Sequence, residues 1–108
     1  MDLNQDMKST ETSRVETQRL HDLAVTRECF NVTSDEALAQ RFGPGTHGMH
    51  ELWDRVHVLN DNWHDFVIEH ASCLLHADLY AEADRIGTLI SRFYQMVGQK
   101  DSEASPTS

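Results

Sequence analysis

The chain has 108 residues and a formal charge of -9, from nine Lys and Arg against eighteen Asp and Glu. Hydrophobic residues make up 39% and the chain has only five Gly and two Pro, which suits one helical domain with a modest core and argues against a disordered chain or a β-sandwich. The negative balance, with cations scattered along the chain, argues against a phosphate-binding surface; an acidic surface is ordinarily a solubility device and less often a docking surface for a basic partner.

Seven His allow the charge to move from -9 to -2 if all protonate, a change centred near the ordinary imidazole range. Cys29 and Cys73 are too few and too far apart for a disulfide framework or a CxxC site, so both are expected as buried free thiols. The polar start MDLNQDMKSTETS has no signal core, and no apolar run reaches the roughly 18 residues of a membrane span. A cytoplasmic protein with no membrane partner is expected.

In chain order, residues 1–12 lack apolar periodicity and are expected to be a disordered leader. Ser13 and Glu16 have capping-box spacing, and Leu20, Leu23, Ala24 and Arg27 follow at helical intervals, predicting a helix over 13–29. Thr33 and Glu36 repeat that spacing ahead of Leu38 and Phe42, so a short helix over 34–42 is expected, ended by Gly43, Pro44 and Gly45. The stretch 34–43 has the flavour of a helix-turn-helix entry, which makes DNA binding a minor alternative.

Thr46 is a plausible N-cap for a long helix over 47–70. At about 100° per residue, Met49, Leu52, Trp53, Val56, Leu59, Trp63, Phe66, Val67 and His70 fall on one core face. His50, Asp54, His57, Asp61 and His64 form a separate stripe. After a reversal at 71–77, Leu79, Tyr80, Ala83, Ile86, Ile90, Phe93, Tyr94 and Val97 predict a partner helix over 78–97. Gly87 suggests close helix approach, Gly98 a left-handed closure, and 99–108 a disordered tail. Leu89 and Met96, seven apart and off the main stripe, are candidates for a subunit interface.

Gly48, His50 and Glu51 at the helix start, Glu69 and His70 at its end, and Phe93 to Gly98 at the close of the last helix give the segment 48–98 a G-x-H-E, E-H, Y-Q-x-x-G pattern. In this it resembles small bacterial and phage-associated all-helical proteins of unassigned function. The resemblance implies a helical hairpin and carries no activity. The chain departs from the pattern at Ala71 and Ala77, where those relatives have Pro.

His47, His50, Asp54 and His57 are the candidate metal ligands, for zinc or another divalent ion. His50 and His57 lie about 10.5 Å apart along a helix, too far for one ion, so a second element would have to complete the set. A zincin site would need His where Asp54 stands, with Glu51 as base, and Glu51 is more simply a first-turn acid. No catalytic residue is assigned; solvated surface pairs account for the stripe more simply.

The expected fold is all-α: an antiparallel hairpin of two long helices covered by shorter amino-terminal helices, forming one domain over 13–98. The expected function is a non-enzymatic acidic interaction protein, a regulator or inhibitor docking on a basic partner and forming a homodimer through the opening that a two-helix hairpin leaves; metal binding or sensing is the alternative.

Overall fold

The computed structural model describes residues 3–104, with side chains from residue 10 onward; Met1, Asp2 and residues 105–108, the ends of the expected leader and tail, lie outside the described residues. Among the described residues every regular element is helical. They are α1 (Leu3–Cys29), α2 (Asp35–Phe42), α3 (His47–Asn62), a π-helical segment (Trp63–Ile68), α4 (Ala71–Leu74) and α5 (Ala77–Asp101). No helix among them is long and apolar enough to cross a membrane. The chain divides into two compact units, Met1–Leu38 and Ala39–Ser108.

In the first unit, α1 begins at Leu3 and not at Ser13. Ser13 and Glu16 form no capping box: the Ser13 carbonyl accepts the Thr17 hydroxyl at 2.8 Å, and Glu16 pairs with Arg19. Polar residues with i, i+3 ion pairs sustain a helix whose apolar periodicity is weak. The helix closes on Asn31, at φ 58°. The Asn31 and Val32 amides donate to the Glu28 and Arg27 carbonyls, each at 3.0 Å, in a Schellman arrangement. Arg27 then reaches Asp35 at 2.5 Å, and Ser34 Oγ accepts the Ala37 amide at 3.1 Å, so the cap of α2 falls one residue beyond Thr33. Cys29 is exposed, contrary to the buried thiol expected there.

The second unit begins within α2, which a tight turn follows. Pro44 and Gly45 occupy its centre, Gly45 takes φ 81°, and the Thr46 amide donates to the Gly43 carbonyl at 3.2 Å. Thr46 Oγ1 accepts the Met49 amide at 3.3 Å, so Thr46 caps α3 as its position predicts.

Helices α3 and α5 pack antiparallel. His50 meets Asp101, Trp53 meets Gly98, His57 meets Tyr94, Asn60 meets Ser91 and Trp63 meets Gly87. From His50 to Asn60 each step forward on α3 is matched by an equal step back on α5, and at Trp63, the first residue of the π segment, the match shifts by one residue, three forward against four back. Two glycines make the approach possible. A Cβ on Gly87 would stand 3.3 Å from Trp63 Cδ1 and 3.2 Å from Ile68 Cδ1, and one on Gly98 would stand 3.0 Å from Trp53 Cζ2. Gly98 therefore lies inside α5 as the seat of an indole and does not close the helix, which runs on to Asp101.

The long helix expected over 47–70 changes pitch at Trp63. From there the backbone bonds i to i+5, as in the Glu69 amide to the His64 carbonyl at 3.1 Å. In an α-helix, residues five apart point about 140° away from each other. The wider π turn brings Trp63 and Ile68 onto the same side, and both lie against Gly87. The change also rotates Phe66 outward. Ile68 is 5% exposed and Phe66 68%, the reverse of what uninterrupted α-periodicity assigns. Ile68, Cys73 and Ala83 form the core here, with Trp63 packed against them.

Because Gly87 admits Trp63, Gly87→Val should cost about 1–3 kcal/mol by overpacking, while Trp63→Phe should cost about 1 kcal/mol or more through the lost indole bond and volume. Urea denaturation of both variants checks this; a Gly87→Val midpoint at or above that of the parent would contradict the packing described.

Candidate functional site

The helix register decides what becomes of the His and Asp stripe. His50 Nε2 lies 2.8 Å from Asp101 Oδ2, and the Asp101 side chain is only 10% exposed. Its other oxygen accepts the Gly45 amide at 2.7 Å, tying the turn before α3 to the end of α5. His57 pairs with Asp61 one turn on, at 3.4 Å. Asp54 shares a shallow cavity of about 250 Å³ with His50, Trp53, His57 and Tyr94. His47 is exposed at the first position of α3. Of the four residues considered as metal ligands, His50 and His57 thus pair with separate carboxylates, while Asp54 lines the same cavity as both. Among the described residues no three His, Cys, Asp or Glu side chains are grouped so as to hold a metal ion. Asp101 was the residue that periodicity missed, because Gly98 read as a helix end placed it in the tail.

Trp53 and Trp63 make an instructive pair. Trp63 Nε1–H donates to the Ala83 carbonyl at 2.9 Å, four residues before the glycine it packs on. Trp53 sits on Gly98 in the same manner, where the corresponding carbonyl is Tyr94, but its buried indole N–H has no hydrogen-bond partner among the described residues. Its ring stacks at a tilt on Tyr94, centroids 5.5 Å apart.

A larger, apolar cavity lies at the closed end of the hairpin. Trp63, Phe66, Val67, Cys73, Leu79 and Ile86 line a groove of about 380 Å³. Trp63 and Cys73 join it to the core cluster, whereas Phe66 and Leu79 are exposed at its wall. Phe66 and Phe93, expected in the core by spacing, stand open to solvent. Phe66 is turned out by the π segment, and Phe93 is left open because two packed helices bury only the stripe between them while α5 is apolar over a wider arc. The turn beside the groove is held by His70, whose Nδ1 accepts the Ser72 amide at 3.0 Å and caps α4. Leu74 and Leu75 are exposed at that turn.

The surroundings of the groove are acidic. From Val56 to Asp84 the chain carries Asp61, Asp65, Glu69, Asp78, Glu82 and Asp84, with no Lys or Arg. Arg85 is the first cation beyond, and its hydrogen bond to Glu82, reinforced by charge, holds that carboxyl below its ordinary value of 4.5. Compared with protein-family models, curated proteins and solved structures, the chain matches none.

Two expectations follow from this electrostatic arrangement. Asp101→Ala should destabilise by about 1–3 kcal/mol because it releases both the Gly45 amide and His50, and His50→Gln by less than about 1 kcal/mol because the imidazole is half exposed; a double-mutant cycle read by urea denaturation measures their coupling, and additive losses would mean that the pair contributes nothing. The Glu82–Arg85 pair should stabilise above pH 4.5 and lose that contribution as the pH falls through the depressed folded value. Thermal melts of Glu82→Gln should therefore converge on those of the parent in acid, and a gap that persists or widens there would contradict the assignment.

Proposed function

We propose that the chain is a non-enzymatic, acidic helical interaction protein of the cytoplasm, acting as a regulator or inhibitor by docking on a protein partner through the closed end of its hairpin. The observation that carries this reading is Phe66, turned out by the π segment to 68% exposure at the wall of an apolar groove. An exposed aromatic anchor beside a concave apolar surface is the arrangement that interface hot spots use. Acidic flanks favour a basic partner and would oppose approach to a phosphate backbone. Support for homodimerisation comes from a different surface, Leu89 and Met96, exposed and seven residues apart on α5.

The test is immobilised parent chain against Phe66→Ser combined with Leu79→Ser, after circular dichroism shows equal helicity. The parent is expected to retain a protein that the double variant releases, with affinity reduced tenfold or more, about 1.4 kcal/mol per decade. Identical retention by the two baits would sink the docking role of this surface.

A further inference from the structure

We infer that the occupant of the closed-end groove is an amphipathic helix whose apolar face carries anchors one turn apart and whose flanks are rich in Lys or Arg; this rests on the docking role proposed above.

The shape of the surface supports a helix. Leu79, Ile86 and Phe93 recur every seven residues along α5, so they lie along one side of it at intervals of roughly 10.5 Å. Leu79 and Ile86 wall the groove, with Trp63, Phe66 and Val67 across from them. A groove between two helical walls, with the buried Cys73 also in its lining, offers a seat that side chains at i, i+4 and i+7 of a third helix can fill. Such a helix would complete the bundle that two helices leave open.

Charge selects the kind of helix. Asp65 precedes Phe66, Glu69 precedes His70, and Asp78 precedes Leu79, so each of these exposed carboxylates adjoins a residue of the groove; Glu82 stands in its wall. Arg85 offsets Glu82, and no Lys or Arg lies between Val56 and Asp84 to offset the others. A second copy seated closed end against closed end would bring these carboxylates together, which costs free energy, whereas Lys or Arg on the flanks of an incoming helix would meet them at a solvent-screened rim. The charge complement therefore favours a basic helix over self-association at this surface.

The experiment uses the full untagged chain and two labelled synthetic helices with the same Leu anchors at i, i+4, i+7 and i+11, one with Lys and one with Glu at the remaining positions. Fluorescence anisotropy is expected to show the Lys helix binding and the Glu helix binding at least about tenfold more weakly. Phe66→Ser should release the Lys helix, and Asp65→Asn with Glu69→Gln and Asp78→Asn should weaken it about tenfold while leaving helicity unchanged. Equal binding of the two helices, failure of both to bind, or binding of the Lys helix that ignores Phe66→Ser would overturn the inference. Light scattering separates that failure from failure of the docking role. A dimer abolished by Phe66→Ser would place a second copy in the groove, overturning the basic helix and keeping the docking surface; indifference of helix binding, dimerisation and partner retention alike to Phe66→Ser would remove both.

Discussion

The second unit depends on the contact of Trp63 with Gly87. An indole can lie this close to a helix backbone only where no Cβ intervenes, and the glycine supplies that opening on α5. The indole N–H then finds the Ala83 carbonyl one turn away, so the burial of a polar atom is matched by a hydrogen bond. With that point fixed, the antiparallel register propagates along both helices to the Trp53–Gly98 contact and the His50–Asp101 pair. The π turn belongs to the same arrangement, since only a wider turn sets Ile68 beside Trp63 on the one glycine.

Local chemistry was legible in the sequence where one residue type decides the outcome. The Thr46 cap, the turn at Pro44 and Gly45, the run of α5 and the close approach at Gly87 all follow from side-chain size, backbone freedom or a hydroxyl at the right position. What could not be read was the change of pitch. A fixed 100° step puts Phe66 inside and leaves Ile68 out, and nothing between Trp63 and Ile68 signals a π turn, because it arises from what α5 presents and not from local propensity. Gly98 misled for a related reason: a glycine near a helix end has the same letters whether it terminates the helix or seats a tryptophan, and only the distant Trp53 distinguishes them. Asp101 was then lost from the reading of the site as a direct consequence. The amino-terminal extension of α1 was hidden because its sequence, LNQDMKSTET, has no apolar period to detect.

The candidate chemistry and the candidate binding surface separate in space. The histidines attracted attention by spacing, yet the structure engages His50, His57 and His70 in pairing or capping. The surface with unmet physical demand is apolar, at the opposite end of the hairpin from the His50–Asp101 pair. Helix packing made that demand: a sequence apolar over an arc wider than one neighbour covers leaves exposed apolar side chains for which burial is favourable.

Trp63 serves both as the pin of the hairpin and as part of the groove, and this dual position ties two equilibria together. An occupant that packs on the exposed side of the indole adds its binding free energy to the closed hairpin, so ligand concentration and fold stability become linked variables. Linkage runs both ways: loosening α5 beneath the indole raises the dissociation constant of a ligand that never touches α5 at the altered residue. Affinity at this surface would then be set partly from beneath, by the absence of a side chain at Gly87, as well as by the side chains that meet the ligand.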